Sequence, residues 1–401
     1  MANSARASAP AVALAGVLSL AVAMGIGRFA FTPLLPPMIQ AGGLDVAAGG
    51  WIAAANYAGY LAGALVAARV RVGAVRLGAT ALALTVLLTA AMAAPAGAWG
   101  WGMLRFAGGI CSAWAFVATA VWCLGELARG GHAHRAGAVY SGVGFGIAAA
   151  GLWCLAGASW GASAAALWLQ LALLAAILLV PVALVLRRLD GAAPAARGPQ
   201  PARAPLPPGS GGLVACYGVL GFGYILPATF LPVLARSIVD DPRLFGLAWP
   251  VFGATAAAST FIAAWALRHA NRLQVWAVSN VVMGLGVLLP SVWLNGWTIA
   301  LSALGVGGTF MIVTLAGVQE MRARASGDPT PHVARMTAAF AIGQIAGPIA
   351  SSLLLHVPRF AQSGLHIALQ AAAASLFLAA GWLWHAGRRS ALLTPEIRHA
   401  P

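Results

Sequence analysis

The sequence is poor in charge. Only 8% of its 401 residues are charged, whereas 61% are hydrophobic, and soluble globular proteins carry about a quarter charged residues. Eight residues are acidic and 23 are basic; the basic ones are all arginine, and the net charge is +15. This composition excludes an ordinary soluble protein and indicates a chain whose main solvent is lipid.

Cysteine and the common catalytic motifs are scarce or missing. The four cysteines all lie within apolar runs and form no CxxC pair, so we expect neither a disulfide nor a metal site. The sequence has no Walker motif, no zinc motif and no Ser-His-Asp arrangement with a soluble domain to hold it. We therefore expect no cofactor, and the sequence argues against an ATP-driven pump and against an enzyme.

Long apolar runs are abundant instead. A run of about 20 residues crosses a hydrocarbon core of about 30 Å, and only helices satisfy their own backbone across lipid, apart from closed barrels. We predict an all-α integral membrane protein with twelve spans, near residues 10–35, 48–68, 74–95, 98–127, 136–157, 162–186, 212–235, 246–267, 273–292, 297–320, 333–355 and 364–386.

The arginines predict the orientation. With the N-terminus in the cytoplasm, 18 arginines fall on the cytoplasmic side, three on the outer side and two within spans. The positive-inside rule explains this asymmetry, so we expect both termini in the cytoplasm. It also explains the basic excess without a nucleic-acid partner.

The chain divides into two similar halves. The segment "RRLDGAAPAARGPQPARAPLPPGSGG" reads as a flexible linker at 187–212 between six-helix bundles at 1–186 and 213–401. At an offset of 196 residues, "GIGRFAFTPLLP" from Gly25 aligns with "GFGYILPATFLP" from Gly221. Duplicated halves around a central path are typical of transporters.

Four stretches carry a resemblance to a known family. "MGIGRFAFTPLLP", "WIAAANYAGYLAGAL", "CYGVLGFGYILPATFLP" and "GGTFMIVTLAGVQE" resemble the YbfB/YjiJ-like branch of the major facilitator superfamily. The resemblance implies a secondary transporter in a bacterial inner membrane, with a small-molecule substrate bound between spans 1, 4, 7 and 10. One departure is "GALVAARVRVGAVR", which has Ala67 where the superfamily's gating motif carries Asp.

Two arginines lie inside spans. Arg28 and Arg105 are each about 7 residues from the outer end of their span, hence about 10 Å deep. Intramembrane arginines usually face the bundle interior, and two guanidiniums at one level suit a carboxylate or phosphate. Alternatively, each arginine satisfies helix carbonyls or a neighbouring side chain and only stabilises the bundle. Arg105 also resembles the superfamily's span-4 Arg-x-x-x-Gly motif, which implies a coupling role.

Span 4 carries a polar stripe at seven-residue spacing, Arg105, Ser112, Thr119 and Glu126, which share one face. We expect this face to line a wet cavity, although Ser and Thr also bond their own helix. Glu126 and Glu320 end the equivalent spans 4 and 10. They are candidates for ion pairs between the halves at an inner gate, or for proton coupling. Alternatively, each forms an ion pair at the membrane interface that has no role in transport.

Further polar and aromatic side chains within spans are weaker substrate-binding candidates. Tyr224 occupies the position of Arg28 in the second half. The others are Asn56, Tyr57, Tyr60, Trp114, Trp249, Thr309 and Gln344.

The function predicted is secondary active transport of a small solute, with an organic anion as the first candidate. Efflux of amphipathic compounds is an alternative. A polytopic membrane enzyme or sensor is a further alternative, which predicts catalytic residues clustered at one depth or an appended soluble domain. We expect a monomer surrounded by membrane lipids.

Overall fold

A computed structural model describes residues 7–42, 44–67, 72–132, 135–189, 206–207, 209–238, 246–325 and 329–392. This part of the chain is helical, without a strand. Twelve helices correspond to the twelve predicted spans and are numbered with them: α1 Ala9–Gln40, α2 Val46–Ala67, α3 Ala74–Ala91, α4 Gly97–Arg129, α5 Ala136–Ser159, α6 Ala164–Leu189, α7 Gly211–Arg236, α8 Ala248–His269, α9 Arg272–Val292, α10 Gly296–Arg324, α11 Thr330–His356 and α12 Gly364–Leu392.

The predicted twelve-span, all-α architecture is confirmed. By length and composition, eleven of the described helices are able to cross a membrane. The exception, α2, is 22 residues long and carries the polar side chains of Asn56, Tyr57 and Tyr60, which lower its hydropathy. Most of the predicted linker lies outside the described residues, and its ends are helical, because α6 runs to Leu189 and α7 begins at Gly211.

Helix α1 is interrupted where the prediction had an unbroken helix. An α-helix over Ala9–Leu20 changes to a π-helix over Ala21–Ile26, and a turn then leads to a second α-helix, Phe31–Gln40. Pro33 has no backbone N–H to donate to the Phe29 carbonyl four residues earlier. The Thr32 amide donates to that carbonyl instead, which leaves the Arg28 carbonyl free for another donor.

Glycines let neighbouring helices approach closely. A Cβ added at Gly25 of α1 would overlap the backbone of Gly146 in α5, and one at Gly109 of α4 would overlap the carbonyl of Asn56 in α2. Contacts between small residues are how membrane helices gain packing energy. The polar groups of α1, α2 and α4 are therefore held within reach of one another.

The two halves meet mainly along the helix pairs α1 with α7, α2 with α11, and α5 with α8, and α2 also contacts α7. The Thr32 hydroxyl donates to the Ala228 carbonyl at 2.7 Å. These two residues are equivalent at the 196-residue offset, so they meet near the pseudo-twofold axis. The Ser352 hydroxyl of α11 also donates to the Ala47 carbonyl of α2 at 2.9 Å. Both bonds lie toward the predicted outer side, where they hold the halves together.

Candidate functional site

Arg28 lies at the break in α1 and is only 2% exposed. Its Nη2 donates to Oε1 of Gln344 in α11 at 2.6 Å, and its Nε has no hydrogen-bond partner among the described residues. Because α1 and α11 belong to different halves, this bond joins them across the centre of the molecule. A buried guanidinium with no carboxylate partner and with donors left unbonded costs desolvation free energy.

Aromatic rings surround the Arg28 guanidinium. Its central carbon lies 4.1 Å from the ring centroid of Tyr60, 5.1 Å from that of Tyr57 and 5.4 Å from that of Phe29. Rings at these distances stabilise a cation through their quadrupoles.

Gln344 links Arg28 to Tyr224, its sequence equivalent in the second half. The Gln344 amide Nε2 donates to the Tyr224 hydroxyl. Tyr224 is stacked between Phe310 and Phe340, with ring centroids 4.6 Å and 5.6 Å away. The two equivalent positions are therefore connected through one buried amide.

Arg105 is positioned by the break in α1 in a different way. Its Nη1 donates to the Gly27 carbonyl at 2.7 Å and its Nη2 to the Arg28 carbonyl, while the Asn56 amide donates to the Arg105 carbonyl at 2.8 Å. The structure thus brings the two buried arginines together but gives their guanidiniums different partners. Arg105 satisfies backbone carbonyls, which is the structural alternative weighed from the sequence.

The polar stripe of α4 packs partly against α1. The Ser112 hydroxyl donates to the Ala23 carbonyl, within the π-helical segment, and to Gly108 of its own helix, both at 2.9 Å. Thr119 is buried with no partner among the described residues. Arg105 and Ser112 therefore serve the helix contact, where the sequence had favoured a wet cavity.

Glu126 and Glu320 form ion pairs within their own halves. Glu126 pairs with Arg129 of the same helix at 2.7 Å. Glu320 pairs with Arg324 at 2.9 Å and with Arg272 of α9 at 3.8 Å. The pairs that the structure shows for these two acids do not cross between the halves.

The remaining candidates separate into two groups. Tyr57 lies in the site, and its hydroxyl is 3.2 Å from that of Thr229 in the other half. Trp249 stacks on Phe252 and lies 6.4 Å from the Phe29 ring. Trp114 instead donates to the Gly63 carbonyl, and Thr309 to the Gly305 carbonyl of its own helix, so these two brace helices.

Tyr140 and Tyr217 also belong to this region, although the sequence did not single them out. Tyr217 contacts Phe340, the ring that stacks on Tyr224, with centroids 5.5 Å apart. Tyr140 contacts Phe116, and Tyr60 lies beside Arg28. With Tyr57 these are all five tyrosines of the chain, and we call them the tyrosine cluster. Every one lies inside a span, whereas tyrosine in membrane proteins favours the interfaces. This unusual placement was visible in the sequence and could have identified Tyr140 and Tyr217.

The described residues contain no group of His, Cys, Asp or Glu that could hold a metal ion. All four cysteines are free and buried. The site is therefore built from two arginines, amides, hydroxyls and rings.

The chain matches a protein-family model. A family model described as "Uncharacterised MFS-type transporter YbfB" matches residues 20–383. No curated protein matches the chain.

Among solved structures, a D-xylose-proton symporter is similar with a TM-score of 0.72 and 13% identity, over 93% of this chain and 96% of that one. A bacterial homolog of the human lysosomal transporter Spinster, inward-facing and occupied, gives 0.68 and 16%, over 95% and 96%. The nucleoside transporter NupG gives 0.63 and 12%, over 97% and 99%. At these identities the likeness concerns the fold.

Proposed function

We propose that this chain, which belongs to the YbfB-type family of major facilitator superfamily (MFS) transporters, carries a small organic anion and binds its anionic group at Arg28. Family membership makes it a multi-pass membrane transporter and not an enzyme. The observation that carries the proposal is Arg28 itself, a buried cation with an unpartnered Nε and no ion pair within the described part of the chain.

The partners of the described acidic residues support an anionic cargo, because none of these residues is paired with Arg28. Of the acidic residues, the described part of the chain contains Asp45, Glu126 and Glu320. Asp45 accepts from the Ala48 amide at the start of α2, and the two glutamates pair near helix ends. The neutral amide oxygen of Gln344 compensates a guanidinium less well than a carboxylate does. A bound anion would supply the missing charge.

The position of Arg28 also supports alternating access. Arg28 belongs to the first half and Gln344 to the second, so an anion that takes over the guanidinium competes with a bond between the halves. Ligand binding then changes the relative stability of the closed and open arrangements, as a transporter requires.

A thermal-shift experiment tests the anion proposal. The purified protein is heated with a panel of small carboxylates and with the matching neutral amides. We expect at least one carboxylate to raise the melting temperature of the wild type, since a ligand that binds the folded state stabilises it. Arg28→Gln should lose that response, and Arg268→Gln, at an exposed helix end, should keep it.

The proposal fails if Arg28→Gln responds to the carboxylate as the wild type does, or if only neutral compounds stabilise the protein. Proton coupling remains a separate prediction, with Glu126 and Glu320 as candidates. Carboxylate uptake into vesicles with and without an imposed pH gradient tests it, in the wild type and in the two Glu→Gln variants.

Efflux of amphipathic compounds is the second candidate, favoured by the rings around Arg28. Overexpression in a drug-sensitive strain separates it from uptake, because an efflux pump raises resistance.

A further inference from the structure

The hydroxyls of the tyrosine cluster are largely occupied by protein partners. The Tyr57 hydroxyl pairs with Thr229, that of Tyr217 donates to the Thr314 carbonyl, and that of Tyr224 accepts from Gln344. Tyr60 presents its ring to Arg28, with its centroid 4.1 Å from the guanidinium carbon. A sugar or other polyol brings several hydroxyls that each need a partner once desolvated. The cluster is therefore better suited to offer ring faces than hydrogen bonds.

Ring faces are available on both sides of the path. On the second half, the Phe310–Tyr224–Phe340 stack has interplanar angles of 23° and 9°. Phe340 also contacts the tilted ring of Tyr217 at 5.5 Å, and it is only half-buried. On the first half, the Phe116 and Tyr140 rings lie 5.9 Å apart and are likewise half-buried. Phe340 is connected to the Arg28 site, because its stacking partner Tyr224 accepts from Gln344, and Gln344 accepts from Arg28.

We infer that the cargo is an aromatic carboxylate, a compact anion with a planar ring. This inference rests on the proposed function and narrows it. The carboxylate hydrogen-bonds to Arg28, where Nε is unpartnered and Nη2 has only Gln344. The ring lies against half-buried Phe340, since offset stacking favours one flat ring on another. It also lies beside Tyr60, whose ring centroid is 4.1 Å from the guanidinium carbon of Arg28.

Two probes of matched charge and size test the inference. Benzoate and cyclohexanecarboxylate both carry one carboxylate on a six-membered ring, but only benzoate is flat and aromatic. Titration of the purified protein, followed by thermal shift, should give benzoate a dissociation constant about two- to tenfold lower, the ratio expected for one or two stacking contacts. Benzyl alcohol, which has the ring without the charge, should bind weakly.

Substitutions test whether the preference for benzoate depends on the rings of Phe340 and Tyr60. Phe340→Leu should bring the two acids to similar affinity, whereas Phe261→Leu, on the exposed face of α8, should keep the preference. Tyr60→Phe retains the ring and should also keep it. Tyr60→Leu, which removes the ring without touching Phe340, should weaken benzoate more than cyclohexanecarboxylate.

The contrary outcomes are distinct. Equal affinity of the two acids for the wild type, or binding of neither, overturns the aromatic inference. If they bind equally but only with Arg28 present, the anion proposal survives. If benzyl alcohol binds as tightly as benzoate and Arg28→Gln leaves both unchanged, the anion proposal fails as well.

Discussion

At the scale of single residues, Arg28 and Arg105 share burial and predicted depth but differ in what satisfies them. Arg105 donates hydrogen bonds to the carbonyls of Gly27 and Arg28, so its removal leaves two buried acceptors without a donor. Arg28 instead donates to one side-chain amide. The Nε of both arginines has no hydrogen-bond partner among the described residues, so the difference lies in the Nη donors. The sequence placed both at one level, but it cannot show whether a guanidinium meets a carbonyl or a ligand.

The first prediction concerns Arg105. We expect Arg105→Ala to lower the free energy of unfolding by roughly 2–4 kcal/mol, because two buried carbonyls lose their donor. Thermal unfolding in detergent, compared with Arg268→Gln, measures the loss. An Arg105→Ala protein that melts at the wild-type temperature and fails only in transport would show that the arginine acts on cargo.

At the scale of helices, glycine contacts and the interruption of α1 position the site. Gly144 of α5 packs on the backbone of Gly253 and Ala257 in α8, across the two halves. Gly144 lies in the stretch "GVGFG", Gly142 to Gly146, whose small residues allow such close packing. The interruption of α1 was not foreseen, because its carbonyls bond to another helix. Ser112 donates to Ala23 within the π-helical segment, and Arg105 donates to Gly27 and Arg28 in the turn that follows.

The second prediction compares two glycines of α5. Gly144→Ala should destabilise the protein by about 1–3 kcal/mol, because the new methyl group meets backbone atoms that cannot move aside. Gly137→Ala, which has open space around its Cβ position, should be neutral or slightly stabilising, as alanine favours a helix. Thermostability in detergent measures both, and equal stability would mean that α5 and α8 do not pack this closely.

At the scale of the whole molecule, the halves are joined on the predicted outer side. Thr32 bonds to Ala228 there, and Ser352 to Ala47. A Cβ at Gly50 of α2 would touch the Ser352 hydroxyl. These contacts must break for the protein to open on that side, so under the proposed function they form an outer gate.

The third prediction is a crosslink at this gate. Gly50→Cys combined with Ser352→Cys should form a disulfide under a mild oxidant, because the two side chains come into contact in this closed arrangement. A protease site placed within 190–205 lets a non-reducing gel show whether the halves stay joined. Each single variant is the control, and halves that separate without reductant would contradict the closed outer gate.

The sequence by itself determined the twelve spans and the duplicated halves, because hydropathy and internal offset are properties of the chain alone. The common depth of the two arginines stays a prediction from helical rise. The sequence marked Arg28, Tyr224 and Gln344 separately. Only the tertiary structure joined them, and only it assigned Arg105 to the carbonyls of α1. Hydrogen bonds across the pseudo-twofold axis link residues about 200 to 300 positions apart, and no local pattern in the sequence encodes which partner a buried donor meets.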